Sequence, residues 1–228
     1  MMTRIAAIGA MLTIGTAHAA TISFAADNDP TEPTLLSFFD TNTNTTRVVD
    51  MGPTFTVLLI DAEDGSPATA INAHLSVNFD LAYQFSTPVG GVFSHLFSLT
   101  GSFEFRDATT DEFLLSGSVN EAEAVLAAIG TATTVMSGLI TGFDIQYNIG
   151  SIVGGVVGFE GMFPGDFGFT ITALNHGLGA DLILNQDGEI IGIEPFEARA
   201  SFSGSFIPAP GAAGAMAFIG LLAARRRR

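Results

Sequence analysis

Apolar and polar residues alternate over long stretches of the chain, and a period of two is typical of β-strands with one buried and one wet face. In the first long stretch every odd position from Leu75 to Phe85 is apolar, whereas most even positions carry Ser, Asn, Asp or Gln. The segments that show this alternation are 75–86, 93–106, 113–119, 139–149, 167–173 and 196–206. Each of them predicts a strand with a single apolar face.

Two earlier segments, 35–39 and 55–60, are apolar on both faces in part and predict more deeply buried strands. Antiparallel sheets with one solvent-exposed face must bury their apolar faces against each other. The predicted fold is therefore all-β, an antiparallel β-sandwich or a partly closed barrel of roughly eight to ten strands. Within 93–106, Gly101 is expected to mark a bend or bulge, because an unbroken strand of that length would exceed about 40 Å.

One segment departs from the alternation. Asn120 is followed by the run 121–129, which has glutamates in its first turn, strong helix formers after them and a glycine at its end. These are the signals of a helix with an N-cap and a C-terminal glycine, so they predict a short helix near 121–129. Continuation of the preceding strand is the alternative. The glycine-rich stretches 150–158 and 161–168 are interpreted as loops.

The N-terminus has the three parts of a secretory signal peptide. Arg4 provides a positive charge, an apolar stretch follows it, and the small residues Ala17 and Ala19 form a cleavage site before Ala20. Residues 1–19 are therefore expected to be removed on export.

The C-terminal tail has an equally ordered pattern: two prolines, a short apolar run and a basic end. It consists of Pro208, Ala209 and Pro210, the apolar run 211–224, and Arg225, Arg226, Arg227 and Arg228. A helix of 14 residues spans about 21 Å, less than a hydrocarbon core of about 30 Å. Terminal arginines favour the cytoplasmic side of a membrane. The tail resembles the PEP-CTERM sorting signal of Gram-negative bacteria, although Ala209 stands where that family typically has Glu.

This resemblance implies a route of export and processing for the chain. It implies export, transient anchoring in the inner membrane by the C-terminus, processing by an exosortase-like protease, and a final place at the cell surface or outside the cell. The export machinery and that protease are the expected partners, with exopolysaccharide as a further candidate. The chain then divides into the signal peptide, a single β domain over 20–206 and a sorting tail over 207–228. A non-catalytic surface or extracellular-matrix protein is the predicted function.

The predicted domain is strongly acidic. It holds three arginines, no lysine and all 23 acidic residues, a formal charge of −20. Such a surface repels nucleic acid and anionic lipid, so nucleic acid is not an expected partner. Solubility by like-charge repulsion is one interpretation of this charge, and cation binding is the other. The chain has no cysteine, so its stability must come from the core alone.

The motifs of common hydrolases are absent from the sequence. It contains neither Gly-x-Ser-x-Gly nor His-Glu-x-x-His. With no Trp and two Tyr it has little aromatic surface on which a sugar could stack. The predicted core position of His95, among phenylalanines, favours a buried histidine over a catalytic one. The chain is therefore not predicted to be an enzyme, and a secreted hydrolase is the least favoured hypothesis.

Acidic turns are the candidate binding site. Three clusters each place several hard oxygen ligands, which calcium prefers, in one turn. They are the segment 27–32, then Asp61, Glu63 and Asp64, and then Asn185, Asp187 and Glu189. The same residue types also form ordinary turns, because their side chains bond their own backbone. Turn formation is the main interpretation and no cofactor is expected. A structural calcium is the alternative, and it would favour a calcium-dependent or exopolysaccharide-binding module.

Overall fold

The structure, a computed structural model, describes residues 20–25, 35–50, 52, 54–120 and 123–206. Within these residues lie thirteen strands, one α-helix and one 3₁₀ turn at Leu174–Gly177. The elements are β1 (Ala20–Ala25), β2 (Leu35–Asp40), β3 (Thr45–Asp50), β4 (Thr54–Asp61), β5 (Thr69–Val89), β6 (Val92–Asp107), β7 (Phe113–Val119), β8 (Ala124–Gly130), β9 (Thr134–Ile149), α1 (Ser151–Val157), β10 (Gly161–Thr172), β11 (Ala180–Leu184), β12 (Ile190–Ile193) and β13 (Glu197–Phe206).

The strands pair antiparallel in one sheet that closes on itself. A complete circuit of paired strands runs β1, β4, β5, β6, β7, β9, β10, β13 and back to β1. Three positions of this ring are each filled by two short strands arranged end to end, namely β1 with β2, β4 with β3, and β7 with β8. The prediction of an all-β antiparallel fold is confirmed, and the pairings complete a barrel.

The inside of the ring is filled mainly by the apolar faces that the alternation marks. Along β13 every second residue from Ala198 to Phe206 is buried. Phenylalanines from four strands, Phe24, Phe105, Phe169 and Phe202, pack in one cluster with ring centroids 5.5–6.4 Å apart. Edge-to-face and offset contacts of this kind add to the stabilisation from buried area. The phenylalanines therefore serve mainly as core.

The predicted helix near 121–129 is wrong, because residues 124–130 form strand β8. Its even positions, from Ala124 to Ala128, are buried, while Val125, Ala127 and Ile129 face outward. The strand pairs with β6 on one side and with β9 on the other. Two ladders and a buried face outweigh the helix propensity of alanine and leucine, which is less than about 1 kcal/mol per residue.

Three further sequence expectations need correction. The described residues contain thirteen strands rather than eight to ten, because short strands such as β3 and β12 show no long alternation. The glycine-rich stretch 150–158 contains α1, whose glycine C-cap has a left-handed backbone. The stretch 161–168 belongs to strand β10 instead of a loop.

Gly101 lies where β6 changes partner, from β8 on one half to β7 on the other. Its φ is +136°, a conformation that side-chain-bearing residues rarely adopt, and a Cβ atom there would lie 2.0 Å from the carbonyl oxygen of Asn78. The register between β5 and β6 is unbroken at this point. The expected irregularity is therefore a local backbone distortion without a bulge.

Both ends of the ring are covered. At one end α1 packs against β7 and β4 and buries Val153. At the other end the β11–β12 hairpin is tied to the ring, because Thr46 Oγ1 donates to the Ile193 carbonyl and accepts from the Ile193 N–H. Over the described residues, no helix has the length and apolar character needed to cross a membrane.

Candidate functional site

The residues of the two terminal signals lie outside the described residues, with one exception. Ala17, Ala19 and the sorting residues Pro208, Ala209, Pro210, Arg225, Arg226, Arg227 and Arg228 fall in the part that the structure leaves undescribed. The exception is Ala20, the first residue of β1, which is 1 % exposed. Its cross-strand partner is Phe206, the last residue of β13. The two ends of the β domain are thus neighbours on one rung of the ring.

The acidic cluster of Asp61, Glu63 and Asp64 forms the turn between β4 and β5. Asp61 Oδ1 accepts a hydrogen bond from the backbone N–H of Glu63, and Asp64 Oδ1 accepts one from the backbone N–H of Ser66, both at 2.8 Å. Glu63 has a left-handed backbone with φ of 52°. These are the self-bonded turns that Asp favours. Part of the oxygen set proposed for calcium is therefore engaged by the turn itself.

The cluster of Asn185, Asp187 and Glu189 forms the tip of the β11–β12 hairpin. Asn185 Oδ1 accepts from the backbone N–H groups of Asp187 and Glu189, at 3.0 and 2.9 Å. Asn185 Nδ2 donates to Glu189 Oε2 at 2.9 Å. This turn is also closed by its own side chains, so turn formation accounts for the residues at both clusters.

The structure does not bring the two clusters together. Asp61 is paired with Thr21, at the end of the ring that α1 covers, whereas β11 joins the sheet through Asp181 and Thr134 at the opposite end. Segment 27–32 lies outside the described residues. Among the residues that are described, no group of three or more His, Asp or Glu is arranged to hold a metal ion. The calcium alternative stays a prediction.

Other acidic turns use the same backbone chemistry. In the β2–β3 turn the N–H of Asn42 donates to Asp40, and this hydrogen bond lowers the pKa of that carboxyl. In the β6–β7 turn the N–H groups of Thr110 and Thr109 donate to Asp107 and lower its pKa. A hydrogen bond to the charged form is the cause in both turns. The ionised carboxylates therefore help to hold these turns.

His95 is fully buried, as the sequence predicts. Its Nε2 lies 2.7 Å from the Thr131 carbonyl oxygen, which can only accept, so Nε2 carries the proton. Its Nδ1 then accepts from the Ser86 hydroxyl at 2.6 Å, and the Tyr83 hydroxyl lies 2.9 Å from the same Ser86 oxygen. The network joins β5, β6 and the β8–β9 turn, so its geometry is that of a structural cross-link.

A polar groove on the outer face of the ring is a feature that sequence reasoning missed. Four strands, β6, β7, β9 and β10, place short or amide side chains side by side on this face. The groove has a volume of about 330 Å³ and is lined by Ser102, Glu104, Ser116, Ser118, Gln146, Asn148 and Met162, with Phe103 and Gly117 beneath. The alternation marks these residues as outward-facing, but nothing local shows that they meet.

The register arranges the groove in two rows. Ser102 faces Ser118, which faces Gln146. Glu104 faces Ser116 in the next row. In that row Asn148 and Met162 follow Ser116 across β9 and β10. The floor along β7 is low because its outward side chains are serines, and the longer side chains on either side form the walls.

No protein-family model, curated protein or solved structure matches this chain.

Proposed function

We propose that the chain is an exported, non-catalytic surface or extracellular-matrix protein, delivered by its two terminal signals. The observation that carries the proposal is the pairing of Ala20 with Phe206 in the same ring. The predicted signal-peptide junction lies directly before the first of these residues, and the predicted tail begins directly after the second. In this proposal both signals therefore join the β domain on one rung of the ring.

This arrangement suits processing at both ends. Removal of residues 1–19 and of part of 207–228 leaves every residue of the described ladder between β1 and β13 in place. The ring keeps its closure whether the tail is cut or retained. In this proposal the tail holds the chain at the inner membrane until an exosortase-like protease acts on it.

Deletion of residues 207–228 tests the proposal in a host that carries an exosortase. We expect the truncated protein to lose its passage through the membrane fraction and its arrival at the surface, while its thermal melting stays cooperative. The matched control is Ala209→Glu, which gives the tail the residue typical of the resembling family and should raise the processed fraction. An unchanged location of the truncated protein, or loss of cooperative melting, contradicts the proposal.

A second candidate function, a binding module for exopolysaccharide, is favoured by a separate observation, the polar groove on the outer face. Residues of that groove belong to four strands of a closed sheet, which fixes their spacing. The two candidates are compatible, because a surface protein can also hold a matrix polymer.

A further inference from the structure

The groove offers hydrogen-bonding groups that the fold does not use. Over the described part of the chain, the side chains of Ser116, Ser118, Gln146 and Asn148 make no hydrogen bond to other protein groups. Each serine hydroxyl can donate and accept, and each amide offers two donors and an acceptor. By contrast, Asn185 in the β11–β12 turn uses both its Oδ1 and its Nδ2 within its own hairpin. The free groups converge on one groove of about 330 Å³, within the size range of ligand sites.

The shape of the groove favours an extended ligand. Neighbouring strands lie about 4.8 Å apart, so the four strands that contribute to the groove span about 14 Å. The groove is open to solvent along the outer face of the ring. On one wall the side chain of Met162, which is 68 % exposed, provides an apolar contact for the C–H face of a sugar ring.

Two observations narrow the class of ligand. A peptide cannot join here as an added strand, because β7 is already paired on both sides. An anionic polymer is disfavoured by the strongly acidic domain, whose formal charge is −20. A neutral polymer rich in hydroxyl groups is neither an added peptide strand nor an anion, so it is compatible with both observations.

We propose that this groove binds a neutral polysaccharide, with the amides of Gln146 and Asn148 and the hydroxyls of Ser116 and Ser118 as its hydrogen-bonding groups. The proposal rests on the second candidate function and gives it a site and a class of ligand. It is independent of the tail, so a failure here leaves the sorting proposal standing.

Affinity electrophoresis of the full-length protein in gels containing dextran, mannan, galactan or alginate tests the site. We expect retardation by at least one of the three neutral polymers and none by alginate. The double variant Gln146→Ala/Asn148→Ala should bind that polymer about four- to a hundredfold more weakly, because each lost hydrogen bond costs about two- to tenfold. Asn72→Ala is the matched control, since Asn72 is exposed on β5, outside the groove, and should leave binding unchanged.

Melting of every variant shows whether it folds. If the double variant melts early, Ser116→Tyr replaces it, because a large outward side chain on β7 fills the floor of the groove without touching the core. The proposal is overturned if none of the neutral polymers retards the wild-type protein. It is equally overturned if alginate alone does so, or if folded groove variants are retarded as strongly as the wild type.

Discussion

Replacing Tyr147 with Phe tests how the ring tolerates a break in one of its ladders. The register between β9 and β10 shifts between Gly165 and Phe167, so Asp166 has no partner residue on β9. The Tyr147 hydroxyl donates to the Asp166 carbonyl oxygen at 2.9 Å, from a side chain that is 0 % exposed. The phenol thus supplies a hydrogen bond at the point where the β9 ladder is interrupted.

The expected magnitude has two parts. At pH 7, Tyr147→Phe removes one partner of a buried hydrogen bond, which costs about 1–3 kcal/mol of unfolding free energy. In addition, burial and then the charge of Asp166 raise the pKa of the Tyr147 hydroxyl above its ordinary value of 10.0. Because the folded state holds this proton more tightly, the contribution is complete below pH 10 and is lost as the pH rises. The loss approaches about 1.4 kcal/mol per pH unit above pH 10, or about 2.7 kcal/mol by pH 12.

Guanidinium unfolding followed by circular dichroism, at pH 7 and at steps from pH 10 to about 12, measures both parts. The wild type should be more stable than Tyr147→Phe at pH 7, and this difference in unfolding free energy should shrink by about 2.7 kcal/mol by pH 12. The chain has two Tyr and no Trp, so phenolate absorbance of the control Tyr83→Phe reports Tyr147 alone. A difference below about 0.5 kcal/mol at pH 7, or one that does not shrink with pH, refutes the reasoning.

Four other substitutions have defined outcomes. Gly101→Ala should lose more than about 2 kcal/mol in chemical denaturation, because its φ is +136° and its Cβ would lie 2.0 Å from a backbone oxygen. Gly155→Ala in α1, where a Cβ meets nothing within 4 Å, should instead gain about 0.5–1 kcal/mol. His95→Phe should cost about 1–3 kcal/mol, since it removes the imidazole that bonds both the Thr131 carbonyl and the Ser86 hydroxyl. Hydrogen bonding lowers the folded-state pKa of Asp107. Its contribution to the unfolding free energy is therefore present above about pH 4 and is lost on acidification. The stability of Asp107→Asn should fall less than that of the wild type as the pH is lowered.

The fold class follows from alternation because each long strand has one dry face. The six segments that alternate most clearly lie wholly or largely within β5, β6, β7, β9, β10 and β13, and these include the five longest strands. Burial of His95 among aromatic residues could also be predicted from its position on an apolar face. These are local properties, so they can be predicted from short segments of the sequence.

What could not be predicted depends on pairing between distant segments. Strand β8 is rich in alanine and leucine, which favour helices, and its identity is decided by β6 and β9 on either side. The groove shows the same limit, because Ser116 and Asn148 become neighbours only when β7 lies beside β9. Alternation tells which face a residue occupies but carries no information about which strand lies next to it.

Closure of the ring by β13 has a consequence for the time course of folding. The last strand of the described chain pairs with β10 and with the first strand, β1, so the circuit depends on contacts between segments at opposite ends of the sequence. Such contacts carry a high loop-closure entropy and make folding slow. Because the chain is made from its N-terminus onward, one edge of β1 and one edge of β10 stay unpaired until β13 has been synthesised as far as Phe206. A holding factor that covers these edges would shorten the period in which the chain is open to aggregation.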